Sequence, residues 1–233
     1  YHYCESLCSQ KVRVALAEKG LAAESHEIAL CDVSPLCENL TPAYLAINPL
    51  GRVPTLVHDG TPIFESYDII RYLDDTFPDR GERLWPEAPE LRTELEEWLF
   101  EGSMRDDVSF AATFGNSIPM VTLPVLRRTI KNQPLLSFAR RILRHPHRER
   151  RLLFLATRII GASASRPMER KALDALATGL VQIERKLAGS GGPWLLGAFS
   201  QIDVTLMACF HRLEDVSLGD ALRETSLDHV GSY

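Results

Sequence analysis

The side chains best suited to chemistry lie near the start of the chain, where the thiol of Cys8 follows Ser6 and precedes Ser9. Apolar residues continue at helical spacing up to Gly20, so the sequence predicts a helix with Ser9 as its N-cap and an end at about Lys19. A thiol just before a helix N-terminus lies at the positive end of the helix dipole, which favours the nucleophilic thiolate. Cys8 is therefore the first candidate for catalysis, although its spacing also suits packing on the buried face of the helix.

A second candidate region begins with Arg52-Val53-Pro54, directly after a predicted turn. Proline has no N–H for a sheet ladder. We therefore expect Pro54 to open a strand through a cis Val53-Pro54 bond and to leave the N–H and C=O of Val53 for a ligand. An Asp-Gly pair between two short apolar runs then predicts a β-hairpin. Glu65-Ser66 begins the next predicted helix, whose free N–H groups suit a carboxylate. Together these features predict a peptide-sized binding site.

The elements that position these residues follow the order β-α-β-α-β-β-α over residues 1–76. That order predicts an α/β unit with a mixed sheet, whose first two strands end at Tyr3 and cover Glu24–Leu30. A proline-rich stretch over 77–89 has the composition of an interdomain linker. We therefore expect two domains, 1–77 and 90–233, of which the second is all-helical. Its predicted helices cover residues 91–100, 135–144, 148–160, 168–187 and 201–213, whereas three prolines leave 118–134 unassigned.

Composition narrows the class of protein. The 233 residues are 45% hydrophobic and 24% charged, as in ordinary globular proteins, and no apolar run approaches the roughly 18 residues of a membrane span. The five cysteines lack the spacing of a zinc site, and their odd number favours a reducing compartment, so we expect no metal and a cytoplasmic location. Net charge is −12 over residues 1–119 and +7 over 120–233. We interpret this as complementary charge between domains or subunits, because no nucleic-acid-binding motif accompanies the basic half.

Three motifs resemble the cytosolic glutathione transferase superfamily in their order and spacing: Arg52-Val53-Pro54, Glu65-Ser66 and Phe199-Ser200-Gln-Ile-Asp203. The resemblance covers residues 1–113 and about 168–213. It implies a thioredoxin-like α/β N-terminal domain, an all-α C-terminal domain, a homodimer, and glutathione as co-substrate. By the same resemblance, Pro54 is the cis proline and the Val53 backbone pairs with the cysteinyl part of glutathione. Glu65 and Ser66 hold its γ-glutamyl end, and Arg52 reaches its glycyl carboxylate.

The implied activity is transfer of glutathione to a small hydrophobic electrophile, in a detoxification role, with thiol exchange and reductive dehalogenation as related reactions. The loop Ser6-Leu7-Cys8-Ser9 is similar to that of zeta-related members, which include maleylacetoacetate isomerases and the reductive dehalogenase of tetrachlorohydroquinone. The similarity to the dehalogenase is greater, because the isomerases have serine where this chain has Leu7. Cys8 would then exchange with a glutathionyl adduct. In the alternative, Ser6 or Ser9 donates a hydrogen bond to the thiolate of bound glutathione.

A non-catalytic glutathione transferase-like protein, with a binding or regulatory role, is the rival interpretation. The arginine-rich stretch over 127–151 favours it. So does the helix start Ser-Gln-Lys-Val-Arg, which also occurs in a related animal protein of the mitochondrial outer membrane. The expected partners are glutathione, a small apolar or aromatic electrophile and a second copy of the chain, without nucleic acid and without a membrane span. Tyr3, Phe110, Phe114 and the 114–136 segment are expected to line the apolar half of the pocket.

Overall fold

The computed structural model describes residues 1–31, 33–145, 148–160, 166–216 and 218 of the chain. The chain divides into two compact units, each of which draws on distant parts of the sequence. Unit 1 comprises residues 1–12, 23–69 and 123–163, and unit 2 comprises residues 13–22, 70–122 and 164–233. The domain boundaries expected from the linker, at residues 77 and 90, stay a prediction.

The sheet of unit 1 contains one regular hairpin. Strand β1 (Thr55–His58) pairs antiparallel with β2 (Thr61–Phe64), in the register that joins Thr55 to Phe64. Asp59 and Gly60 connect the strands, and both have positive φ, as a tight two-residue hairpin turn requires. The predicted Asp-Gly hairpin is confirmed.

Two extended segments continue this sheet beyond the hairpin. The amino group of Tyr1 donates to the C=O of Thr55 at 2.9 Å, and the N–H of Thr55 donates back to the C=O of Tyr1 at 3.0 Å. On its other side the first segment forms a single parallel bridge between His2 and Glu27. The strands predicted up to Tyr3 and over residues 24–30 are therefore wrong in extent, since their pairing with each other is limited to this bridge.

Helices account for most of the remaining described residues. Their bounds are α1 (Leu7–Glu18), α2 (Pro42–Ile47), α3 (Ser66–Thr76), α4 (Pro89–Gly102), α5 (Phe114–Lys131), α6 (Leu135–Ile142), α7 (Arg148–Ile160), α8 (Arg166–Ser190) and α9 (Gln201–Asp215). A short 3₁₀ turn, Glu38–Leu40, precedes α2. Within the described ranges, every helix is too short or too polar to cross a membrane.

The start of α1 corrects one expectation. The helix begins at Leu7, so Cys8 lies inside its first turn rather than before it. Ser6 caps this turn, because its Oγ accepts a hydrogen bond from the N–H of Ser9 at 3.3 Å. Ser9 is therefore not the N-cap, and its own hydroxyl is used elsewhere.

Three helices cover most of the described residues of the arginine-rich stretch and pack within unit 1. α5 continues through Pro119 and Pro124, where the sequence allowed no assignment, and α6 and α7 confirm the helices predicted on either side of residue 146. Their inner faces share one apolar cluster with the buried Cys31. The cluster consists of Cys31, Ile130, Phe138, Ile142 and Phe154.

Unit 2 is built around α9, whose first nine residues are buried except for Met207, as the apolar sequence predicted, whereas Leu213 is the buried residue of its last six. The carboxylate of Asp203 accepts hydrogen bonds from the N–H of Ser200 at 2.7 Å and from the N–H of Leu195 at 3.0 Å. Asp203 thus fixes the helix start and the loop before it, and the predicted capping role of Asp203 is confirmed. α4 packs against α9, where Gly102 lies under Ile202.

A buried carboxylate, Asp74, ties the end of α3 to the linker in unit 2. Its Oδ1 lies 2.8 Å from Nζ of Lys19, and both side chains are fully buried. Its oxygens also accept the backbone N–H groups of Leu84 and Trp85, at 3.0 and 3.1 Å. Nε of Arg83 lies 3.4 Å from Oδ2. We call these residues the Asp74 cluster.

Candidate functional site

The sheet next to β1 stops where the predicted binding segment begins. Hydrogen-bonded pairs alternate along an antiparallel ladder, so after Tyr1–Thr55 the next such pair in register is Tyr3–Val53. Pro54 falls between them at a position that needs no N–H for the ladder. The ladder would therefore continue through Val53 if Tyr3 were available.

The backbone of Tyr3 is used at the start of α1 instead. Its N–H donates to Oγ of Ser9 at 3.3 Å, and its C=O accepts from the N–H of Ser6 at 3.0 Å. Within the described part of the chain, the N–H and the C=O of Val53 make no hydrogen bond. The edge beside Val53 is thus available to an extended peptide. The Val53-Pro54 bond is cis, which confirms that expectation.

Three buried side chains hold the backbone just before this edge. The hydroxyl of Tyr44 donates to the C=O of Arg52 at 2.5 Å, and Nδ2 of Asn48 donates to the same oxygen at 3.0 Å. Nδ2 of Asn39 donates to the C=O of Gly51 at 2.9 Å. Each of these three residues is at most 3% exposed. We call Tyr44, Asn48 and Asn39 the carbonyl cradle.

Charged groups lie on the open side of the same segment. Nη1 of Arg52 is 3.7 Å from Oε1 of Glu65, and both side chains are partly exposed. Glu65 has φ of 59°, a left-handed conformation that is uncommon for a residue other than glycine and often found at ligand sites. Its C=O accepts the N–H of Ile69 at 2.9 Å, and Ser66 is the first residue of α3. The arrangement presents a carboxylate, a guanidinium and the N-terminal N–H groups of a helix together.

The candidate catalytic residues differ in accessibility. Cys8 is half-buried in the first turn of α1, and Ser9 is fully buried with its Oγ bonded to Tyr3. Cys4 is exposed, and a hydrogen bond with the Glu27 carboxylate raises the pKa of its thiol, which disfavours the thiolate. No group of three potential metal ligands occurs within the described ranges.

Sequence reasoning missed the carbonyl cradle and misplaced one aromatic residue. The sequence indicates only a turn before Arg52, and spacing alone does not pair the cradle side chains with the backbone carbonyls to which they donate. Phe114 is 1% exposed and stacks edge-on with Phe210 inside unit 2, so its expected place in a pocket lining is wrong. Phe110 is half-exposed, at 49%.

Comparisons with known proteins agree with this geometry. Residues 5–76 match the family described as glutathione S-transferase, N-terminal domain. Maleylacetoacetate isomerase of Pseudomonas aeruginosa is 44% identical over 79 residues, covering 34% of this chain and 36% of that protein. The human ganglioside-induced differentiation-associated protein 1-like 1 is 30% identical over 251 residues, covering 94% of this chain and 64% of that protein. The chain spans less than two-thirds of the length of these relatives.

A solved structure shares the fold. The β-etherase LigF of Sphingobium sp. aligns with a TM-score of 0.76 at 21% identity, covering 100% of this chain and 98% of that one. The predicted fold class is confirmed: a thioredoxin-like N-terminal domain with an all-α C-terminal domain, as in glutathione transferases.

Proposed function

We propose that this chain is a glutathione-dependent transferase of the glutathione S-transferase superfamily, acting on a small hydrophobic electrophile. The observation that carries the proposal is the free peptide edge at Val53, which lies in one unit with Glu65, Ser66 and Arg52. The match of residues 5–76 to the family supports it. A cytoplasmic, homodimeric enzyme of detoxification is the corresponding biological setting.

The site residues each have a physical role in holding glutathione. The N–H and C=O of Val53 pair with the cysteinyl residue as an added strand would. The α-carboxylate of the γ-glutamyl end binds at Ser66, on the N-terminal N–H groups of α3. The carboxylate of Glu65 pairs with the α-ammonium group. Arg52 then leaves Glu65 and turns toward a ligand carboxylate.

Cys8 is the leading candidate for the chemistry. In thiol exchange, its thiolate attacks the sulfur of an aryl-glutathione adduct, and an S–S bond forms as the C–S bond breaks. The electron pair leaves with the aryl carbon, which takes up a proton. A second glutathione thiolate then attacks the mixed disulfide, which gives oxidised glutathione and returns Cys8. In the alternative, Ser6 or Ser9 donates a hydrogen bond to the glutathione thiolate, which attacks the electrophile directly.

The test combines retention on glutathione resin with turnover of a chlorodinitrobenzene and of a mixed disulfide. Cys8→Ser is compared with Ser6→Ala and Ser9→Ala, and Cys4→Ser is the matched control, since Cys4 is an exposed thiol in the same segment. Thiol exchange predicts that only Cys8→Ser abolishes disulfide turnover. Full activity of Cys8→Ser contradicts the covalent route, and absence of retention contradicts glutathione binding.

A non-catalytic glutathione-binding or regulatory protein is the second candidate. The human relative supports it, because that similarity extends over 94% of this chain, including the arginine-rich helices, and the relative's name specifies no reaction. This candidate predicts retention on glutathione resin without turnover of either substrate. Turnover that Cys8→Ser or Ser6→Ala removes contradicts it.

A further inference from the structure

The direction of the Val53 N–H group is set by the carbonyl on the other side of its peptide bond. In a trans peptide the C=O and the N–H point in opposite directions across one rigid plane. The Arg52–Val53 bond is trans, as Val53-Pro54 is the cis bond identified within the described residues. When the C=O of Arg52 is held toward the interior, the N–H of Val53 is therefore directed outward.

Two donors hold that carbonyl inward. The hydroxyl of Tyr44 and the amide of Asn48 both donate to it, at 2.5 and 3.0 Å, and both groups also lie within 3.0 Å of Oγ1 of Thr55. Thr55 is the residue that pairs with Tyr1. The two donors thus tie the peptide at Val53 to the first rung of the sheet.

Burial favours the hydroxyl of Tyr44 as a hydrogen-bond donor. It is 3% exposed, and desolvation raises the pKa of its hydroxyl, so the hydroxyl stays protonated at neutral pH. Asn48 is 1% exposed, so water does not reach its amide. Loss of either donor removes one of the hydrogen bonds that hold the C=O of Arg52, and the peptide plane then gains freedom to rotate.

We propose that Tyr44 and Asn48 are positioning residues for glutathione, which aim the N–H of Val53 at the cysteinyl carbonyl of the ligand. The inference rests on the proposed function. It adds two residues that do not contact the ligand. Their substitution weakens one hydrogen bond, the one to the cysteinyl carbonyl of glutathione. The groups that contact the γ-glutamyl end are unaffected by them.

The experiment measures calorimetric Kd values of Tyr44→Phe for glutathione and for an analogue whose cysteinyl C=O is replaced by CH₂. Tyr72→Phe is the control for loss of a tyrosine hydroxyl elsewhere. Because one neutral hydrogen bond is at stake, Tyr44→Phe is expected to weaken glutathione binding about fivefold and analogue binding less than twofold. KM for glutathione rises by the same factor, and kcat at saturation does not change. Asn48→Asp, which places an acceptor against the carbonyl, weakens glutathione binding more than Tyr44→Phe.

The outcomes separate the two claims. Equal losses for glutathione and the analogue, or a fall in kcat with unchanged KM, overturn the positioning role while glutathione binding stands. Unchanged binding by Tyr44→Phe overturns it as well. Failure of the unmutated protein to bind glutathione overturns the proposed function itself, and this inference falls with it.

Discussion

Two buried polar networks in this protein have opposite architectures. The Asp74 cluster joins protein groups to one another: Lys19 and the N–H groups of Leu84 and Trp85 donate to the carboxylate, and Lys19 also donates to the C=O of Glu82 at 3.3 Å. The carbonyl cradle donates to the C=O groups of Gly51 and Arg52, yet among the residues that the structure describes none bonds to the N–H or the C=O of Val53. A closed network stabilises the fold, whereas a network that ends in unpaired backbone groups at an accessible edge prepares a binding site.

The largest expected effect breaks the closed network. Asp74→Ala leaves two backbone N–H groups without their acceptor and the buried ammonium of Lys19 without its charged partner, so we expect a loss of about 3–5 kcal/mol in the free energy of unfolding. Asp75→Ala is the matched control, because its pair with Arg71 is exposed and contributes about 0.5 kcal/mol or less. Urea unfolding measures both. Equal losses in the two variants contradict the distinction.

The next effect concerns ligand affinity rather than stability. Glu65→Gln removes the charge expected to pair with the α-ammonium of glutathione, and a hydrogen bond to a charged group is worth about 1.5–3 kcal/mol, so Kd rises roughly tenfold to 100-fold. The free energy of unfolding changes little, because the pair with Arg52 is loose, at 3.7 Å, and partly exposed. Titration calorimetry and urea unfolding test the two halves. A large stability loss with unchanged Kd would place Glu65 in a structural network instead.

Ser9→Ala distinguishes a role of Ser9 in the fold from a role in catalysis. The substitution removes the buried acceptor of the Tyr3 N–H, so we expect a loss of about 1–2 kcal/mol in stability. The N–H of Tyr3 then loses the acceptor that holds it away from Val53 and competes with the ligand for the C=O of Val53, which raises KM for glutathione. A fall in kcat with unchanged KM would instead support hydroxyl activation by Ser9. Ser6→Ala is the comparison, since it removes the cap of α1 and costs about 1 kcal/mol.

The smallest expected effect is a pH dependence from Tyr44. Burial holds its pKa above the ordinary value of a tyrosine, so the unfolded chain releases this proton first as the pH rises. The stability contribution is complete below about pH 10 and is lost as the pH rises through the folded-state pKa. Wild type therefore loses stability between about pH 8 and 10.5 that Tyr44→Phe does not lose. Parallel urea curves at the two pH values test this, and identical pH dependence in both proteins contradicts it.

Local signals were enough to predict several of these features. The Asp-Gly pair determined the hairpin, the apolar run of α9 determined a buried helix start, and the position of Pro54 indicated the cis bond after Val53. In each case the residues that decide the structure are neighbours in the chain. The match of residues 5–76 to a known family agrees with that part of the prediction.

Other features depend on partners that spacing does not reveal. Ser9 resembles an N-cap, yet its hydroxyl oxygen accepts a hydrogen bond from the N–H of Tyr3. Ser6 caps the helix instead. Tyr44 and Asn48 reach the C=O of Arg52 because α2 and its C-cap fold back onto the segment before β1, and the path of that turn is not set by residue spacing. The packing of Cys31 against α5, α6 and α7 is of the same kind, since it joins residues about a hundred positions or more apart.

The central claim is that the backbone of Val53 binds glutathione, and NMR tests it through the amide proton of Val53. Labelling with [1-¹³C]arginine and [¹⁵N]valine selects Arg-Val peptides, of which the chain has two, Arg13-Val14 and Arg52-Val53. On titration with glutathione, the account predicts a downfield shift of the Val53 amide proton and an unchanged Val14 signal from within α1. A bound complex, detected by calorimetry, in which the Val53 signal does not move would contradict it.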